Sequence, residues 1–235
     1  MKFGQGLLAL PEFVLNPKLP KIEWLFIDIG GVLLSDGWGH LFRQKAASEF
    51  NIDYDEMEVR HKQAFEAYEI DKLSLAEYLK LVVFYEPRSF TPNQFGAFMF
   101  GLSTPWLDMI DLIKVVKQSN ALKILVVSNE ARALNAYRIK KFGLTSFVDV
   151  FLSSSFVRLR KPDPEFFRVA LDLVQCPPSS VLYLENTPMF VEVAETFGIN
   201  SLLHVDISST RRKLSSFGLN TESSVPAELM LEARI

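Results

Sequence analysis

Four places in the chain bring chemically useful side chains to the ends of apolar runs. Asp28 follows Trp24-Leu25-Phe26-Ile27, Ser128-Asn129 follow Ile124-Leu125-Val126-Val127, and Glu185-Asn186 follow Val181-Leu182-Tyr183-Leu184. Lys161 stands in the loop Arg160-Lys161-Pro162-Asp163-Pro164, just before a helical pattern. A carboxylate, a hydroxyl, an ammonium and a second acidic or amide group form a coherent set for phosphoryl chemistry. Asp28 can attack phosphorus and carry the group as an aspartyl-phosphate. Ser128 can hydrogen-bond the phosphoryl oxygens, and Lys161 can neutralise their charge. Asn186 and Asp28 can hold Mg²⁺ through oxygen. Helix N-termini after residues 129, 163 and 187 would add backbone donors for an anion. Each residue alone is more simply a helix cap, since Ser, Asp and Thr at strand–helix junctions usually are. It is the set, in this order, that points to chemistry.

The elements that must position this set can be read from the same apolar runs. Ile22 to Ile27 is apolar apart from Glu23, the pattern of a strand buried on both faces of a parallel sheet. A charge cannot sit unpaired inside such a strand, so Asp28 is expected at its carboxyl end, with Gly30-Gly31 turning the backbone. Further strands are expected over 121–127, 147–152, 180–186 and 200–205. Helices are expected over 105–118, 130–142 and from Asp163-Pro164 onward, with another after Thr187-Pro188. Strands alternating with helices give an α/β fold, a doubly wound parallel Rossmann-like sheet. In such a sheet all strand ends face one edge, so residues distant in sequence converge there.

Residues 38–104 break this alternation. They show helical spacing, are rich in aromatic residues and contain no convincing buried strand. Asp53 and Ser74 read as N-caps, and Ser74 with Glu77 makes a capping-box pattern. An inserted helical block of this kind is expected to form a lid over the carboxyl edge. The division expected is therefore an irregular arm over 1–20, an α/β core over 21–37 and 105–235, and a helical cap over 38–104. The end of the core, 206–235, reads as a short helix and a weakly ordered tail.

Composition narrows the function. The 235 residues carry a net charge of −3, which gives no electrostatic reason to bind nucleic acid or an anionic membrane. The single cysteine, Cys176, precludes an internal disulfide, fits a reducing cytoplasmic setting and reads as a buried or linker thiol. No run approaches the ~18 apolar residues of a membrane span. The short apolar patch Leu7–Leu10 ends at Pro11, so a signal peptide is not expected.

These motifs resemble, in order and over about residues 22–205, those of the haloacid dehalogenase-like (HAD) superfamily. Asp28 in FIDIGGVLL matches its first motif, Ser128 in VVSNE its second, Lys161 in RKPDPEFF its third and Glu185-Asn186 in LENTP its fourth. The form DIGGVLL is most similar to the sugar-phosphatase and epoxide-hydrolase N-terminal-like branch. The resemblance implies a HAD-like hydrolase, with Asp28, Ser128 and Lys161 as the catalytic group. It implies Mg²⁺ held by Asp28, Gly30, Asn186 and Glu185, and substrate contacts from Gly30, Gly31, Asn129 and His40. The expected partner is a small phosphorylated metabolite, met by a monomer or homodimer.

Two positions depart from the family pattern. A general-acid aspartate usually stands where this chain has Gly30, and an aspartate usually stands where it has Asn186. Three histidines could replace the acid: His40, close in sequence to Asp28, then His61 and His204. Trp38, Phe65 and Tyr68 read equally as cap core or substrate contacts, and Arg158 and Arg160 as solvated charges or anion contacts. The departures leave two rivals to a Mg²⁺-dependent phosphatase: a weakened domain that binds a phosphorylated ligand, and a metal-independent 2-haloacid dehalogenase.

Overall fold

A computed structural model describes residues 21–222. The apolar run that ends at Asp28 forms β1 (Trp24–Ile27), the middle of a five-stranded sheet. The chain then builds α1 (His40–Glu49), α2 (Tyr54–Glu69), α3 (Leu75–Val82) and α4 (Pro92–Gly101) before returning through α5 (Leu107–Asn120). The remainder alternates: β2 (Lys123–Ser128), α6 (Arg132–Lys141), β3 (Val150–Ser153), α7 (Ser154–Val157), α8 (Pro164–Val174), β4 (Val181–Glu185), α9 (Pro188–Glu195), β5 (Asn200–Leu203) and α10 (Ile207–Ser216). Every pairing is parallel, in the order β3-β2-β1-β4-β5. The order reverses direction on either side of β1, the kind of switch point at which open α/β sheets place their ligands.

The sheet is buried on both faces, as the apolar runs require. Leu25 and Ile27 face one layer, with Leu112, Ile113 and Val116 of α5 and Leu214 of α10. Phe26, Leu125 and Tyr183 face the other, with Phe166, Phe167 and Ala170 of α8 and Ala194 of α9. Each fully buried strand side chain of this size is worth roughly 1.5–3 kcal/mol. Truncating one, such as Phe26, would cost about 3–5 kcal/mol once the cavity is counted.

Helices α1 to α4 gather a separate aromatic cluster around Trp38, Tyr68, Tyr78 and Phe95, which also takes in Ala131 and Leu134 at the start of α6. Tyr68 stacks on Tyr78 with ring centres 4.3 Å apart, and Trp38 donates its indole N–H to the Tyr78 hydroxyl at 2.8 Å. Local caps hold the helices. Asp53 accepts from the Glu56 N–H, and Ser74 with Glu77 closes the expected capping box. Thr91 with Gln94 closes a second one that the sequence reading passed over.

One strand boundary moves, and two local details are added. After β3 comes the one-turn helix α7, ended by Arg158 in the left-handed conformation (φ 60°). β5 stops at Leu203 rather than 205, because Asp206 already caps α10 through the Ser209 N–H. Thr187 stands at the N-cap of α9 without a side-chain bond. The expected arm over 1–20 and the expected weakly ordered end of the tail, from 223 onward, lie outside the described residues.

Candidate active site

Asp28, Ser128, Lys161 and Asn186 line one cavity of about 380 Å³ at the carboxyl edge of the sheet, together with Trp38, Phe65, Tyr68 and Glu69 from the helical block. Parallel topology brings the strand ends together, and residues of α1, α2 and the segment just before α1 border the same cavity. Asp28 is buried, with Oδ1 3.2 Å from Lys161 Nζ. Burial pushes its carboxyl up to about 7, against the pull of Lys161; Glu185 pushes further up, while the Ser128 hydroxyl draws it down. Lys161 is 1% exposed and lies 2.6 Å from Glu185 Oε2. Burial alone would lower the lysine, but the two carboxylates outweigh it and hold it protonated, above its ordinary range.

The loop that carries Lys161 is pinned by Asn129. Its amide accepts from the Lys161 N–H and donates to the Lys161 carbonyl, both at 2.9 Å. Asn129, expected as a substrate contact, thus spends both amide atoms on placing the lysine, although it still borders the cavity. Glu185, expected at the metal, is engaged throughout. Oε2 accepts from Lys161 and from the Tyr183 hydroxyl, and Oε1 accepts the N–H groups of Asn186 and Thr187 at 2.9 Å. The glutamate thus takes the N–H groups of the turn that leads into α9. Burial raises the Glu185 carboxyl, but Lys161, Tyr183 and the backbone outweigh it and keep it below its usual value.

The two glycines differ. Gly31 has φ +73°, and a Cβ there would lie 2.1 Å from Asn186 Nδ2, so a side chain is excluded and the Asn186 amide rests on bare backbone. At Gly30 a Cβ would meet nothing closer than 3.9 Å, the nearest atoms being Asp36 Cα, Gly37 N and Glu130 Oε1. The Asn186 amide lies 2.9 Å from Glu185 Oε1 and 3.3 Å from the Gly30 carbonyl, and donates to both when its NH₂ faces them. Asp28 Oδ1 is buried with no aligned hydrogen-bond donor among the described residues.

The histidines divide. His40 opens α1 exposed, on the cavity's border. His61 is buried with Nδ1 2.7 Å from the Tyr78 hydroxyl; burial first, then Arg43, lowers it to about 4, so it stays neutral near pH 7. His204 holds the Thr210 hydroxyl at 2.7 Å, away from that cavity, and is lowered by burial. Trp38 and Tyr68 serve in the cap cluster and border the cavity as well. Arg160 pairs with Glu66 at 2.9 Å and Glu69 at 2.7 Å rather than standing solvated. Cys176 is half-buried, its thiol raised by burial.

The sequence reading did not single out Glu69, Glu130 or Arg138. Glu130 is buried and bonded to the fully buried Arg138, which also donates to the Ser35 carbonyl. Burial raises Glu130, with Arg138 and Lys161 opposing. Only the position of Glu130 directly after Ser128-Asn129 could have drawn attention to it.

The protein thus has an α/β fold with a parallel sheet and a buried carboxylate–lysine pair at its switch point. The chain belongs to the haloacid dehalogenase-like hydrolases, whose family model matches residues 22–198. The HAD family enzyme bt-2542 of Bacteroides thetaiotaomicron superposes with a TM-score of 0.69 at 19% identity, covering 81% of this chain and 98% of that one. Its wild-type complex with magnesium and inorganic phosphate gives 0.66 at 19%, over 80% and 98%. The L-2-haloacid dehalogenase of Xanthobacter autotrophicus gives 0.57 at 16%, over 83% of each chain. These identities speak for the fold alone. A phosphorylated carbohydrates phosphatase of Thermotoga maritima is 25% identical over 88 residues, 37% of this chain and 41% of that protein. The match thus spans about two fifths of that relative's length. Among the described residues no helix is long and apolar enough to cross a membrane.

Proposed function

We propose that this hydrolase is a Mg²⁺-dependent phosphatase of a small phosphorylated metabolite, with 38–104 as the cap that closes its chamber. The observation that carries the reading is Asp28 held 3.2 Å from a protonated, buried Lys161 at the mouth of β1, inside a cavity of about 380 Å³. A nucleophile and a fixed cation at one point suit an incoming phosphate dianion. The likeness to a phosphorylated carbohydrates phosphatase and to a neighbour crystallised with magnesium and phosphate supports the substrate class.

The donors present suit Mg²⁺. Asp28 Oδ1 is buried without an aligned donor, and the Gly30 carbonyl and Asn186 amide lie together at the turn that follows it. Among the described residues no three His, Cys, Asp or Glu gather at a metal-binding spacing. A site of one carboxylate, one carbonyl and one amide matches Mg²⁺, which keeps waters and leans on substrate phosphate. Asp28, Gly30 and Asn186 would hold it, Asn186 turning its amide oxygen inward; Glu185 has no free oxygen to offer and serves instead to fix Lys161. Bound Mg²⁺ would offset phosphate charge and favour ionised Asp28. Asp28 Oδ then attacks phosphorus, Ser128 and Lys161 hold the phosphoryl oxygens, and water hydrolyses the aspartyl-phosphate.

A second reading, a ligand-binding domain with little turnover, is favoured by Gly30 and Asn186. The test is a set of phosphate monoesters and 2-haloacids assayed with Mg²⁺ and with EDTA. Metal-dependent phosphate release supports the phosphatase. Binding without turnover supports the second reading, and halide release without metal overturns both.

A further inference from the structure

We propose that Glu69, at the end of α2 in the helical block, donates the proton to the leaving group that position 30 lacks the side chain to supply. The assignment rests on the phosphatase reading above. Glu69 is 6% exposed and borders the same cavity as Asp28 and Lys161. The end of its helix is tied to the core, because the Ser154 hydroxyl donates to the Glu69 carbonyl at 2.8 Å.

The charges around the cavity do not balance. Asp28, Glu69, Glu130 and Glu185 are buried, and against them stand Lys161, Arg138 and Arg160. Arg43 lines the cavity too, but it is spent on Glu58. Four carboxylates facing three cations in a low-dielectric space will retain a proton. A phosphate dianion arriving with a divalent metal leaves that balance unchanged.

Hydrogen bonding narrows the place of the proton to Asp28 and Glu69, whose Oδ1 and Oε2 have no hydrogen-bond partner among the described residues. Glu185 accepts from Lys161, Tyr183 and two backbone N–H groups. Glu130 has Arg138. Asp28 faces Lys161 and would gain the metal. Glu69 Oε2 lies 2.7 Å from Arg160 Nε, but the two are not aligned, and neither atom has a hydrogen-bond partner among the described residues. Arg160 is shared with the exposed Glu66. Burial raises the Glu69 carboxyl to about 7; Arg160 and Lys161 oppose the rise, while Glu130 and Asp28 add to it. A group that is half protonated near neutrality is suited to give and take back a proton.

The step balances. As Asp28 takes the phosphoryl group and the P–O bond to the leaving oxygen breaks, that oxygen takes the proton from Glu69, which becomes a carboxylate beside Arg160. When water attacks the aspartyl-phosphate, its oxygen joins phosphorus, its proton returns to Glu69, and Asp28 is released as a carboxylate with hydrogen phosphate.

The test compares wild type with Glu69→Gln on phenyl phosphate and 2,4-dinitrophenyl phosphate, with Mg²⁺. Phenolate is the poorer leaving group, so the ratio of its kcat/KM to that of the dinitrophenyl ester should fall by about 10² or more in the variant. In parallel, ¹³C NMR of the glutamate carboxyls, with and without Mg²⁺, should show one resonance that titrates near neutrality and is missing from Glu69→Gln. An active variant with an unchanged ratio, or a Glu69 midpoint below about 5, overturns the assignment while leaving the phosphatase reading in place. A wild type that releases phosphate from neither ester overturns the phosphatase reading, and this assignment with it.

Discussion

Replacing Lys161 by Met should destabilise the protein in a way that depends on pH. The lysine is 1% exposed and stands between Asp28 at 3.2 Å and Glu185 at 2.6 Å. Met preserves most of the volume and removes the charge, leaving two buried carboxylates without their cation. Breaking a buried pair in this way costs about 3–5 kcal/mol. In a chain of this size each kcal/mol is worth roughly 2–4 °C, so Tm should fall by about 6–20 °C near pH 8. The sign with pH follows from Glu185. In the wild type, burial raises its carboxyl but Lys161 and its other donors outweigh that, so it lies below the unfolded value. Its stabilising contribution is present above about pH 4.5 and is lost as pH falls through the folded pKa. Without Lys161 burial wins, the folded pKa rises above the unfolded one, and the variant loses stability as pH increases. Urea melts should therefore show a small gap between variant and wild type near pH 4–5 and a wide one near pH 8. Adding Glu185→Gln to Lys161→Met should restore part of the loss. A gap that is flat with pH, or that Glu185→Gln leaves untouched, would refute the reasoning.

Other outcomes follow from the same geometry. Asp28→Asn should abolish phosphate release, and more than about a tenth of the wild-type rate remaining would remove Asp28 as nucleophile. Because burial lifts Asp28 to about 7, the metal-free wild type gives up stability at this site as pH rises from about 4 to 7; Asp28→Asn should match it in urea melts near pH 4 and exceed it near pH 8. Gly31→Ala should dislodge Asn186, whose Nδ2 lies 2.1 Å from the added Cβ. Isothermal titration should then show weaker Mg²⁺ binding, whereas Asn186→Asp should show tighter binding. Gly30→Asp should fold, since no contact at its Cβ is closer than 3.9 Å, and should speed phenyl phosphate more than dinitrophenyl phosphate; equal effects on both esters would mean that position 30 does not govern leaving-group protonation.

What the sequence revealed and what it hid divide along physical lines. A strand buried on both faces writes itself as an unbroken apolar run, so β1, β2 and β4 are legible, and parallel topology alone brings Asp28, Ser128 and Asn186 to one edge. Capping is local, so Ser74 with Glu77 could be read three residues apart. The partners of a buried charge leave no such trace. Arg138 reaches the Ser35 carbonyl across 103 positions, and the Ser154 hydroxyl reaches the Glu69 carbonyl across 85. No period links those positions, and in the sequence Glu69 looks like any acidic residue on a solvated helix. Glu185 shows the intermediate case. Its place at a strand end was legible, but its use was not, because only the fold shows that two backbone N–H groups, a tyrosine and a lysine take up both oxygens.

Gly30 and Gly31 make the same point within two residues. In the sequence they form one turn signal. In the fold only Gly31 needs to be glycine, since its φ is +73° and Asn186 occupies the space of a side chain. Gly30 is not on the positive-φ side and has room for a Cβ. Its bare backbone is therefore not a steric necessity of the turn, and the missing carboxylate there is a matter of chemistry. The space beside Asp28 that an acid at 30 would fill lies open to the cavity, and the same cavity is bordered by the buried Glu69, whose Oε2 lies 2.7 Å from Arg160 without an aligned hydrogen bond. The proton source and the nucleophile would then sit on different parts of the fold, one on the helical block and one on the sheet.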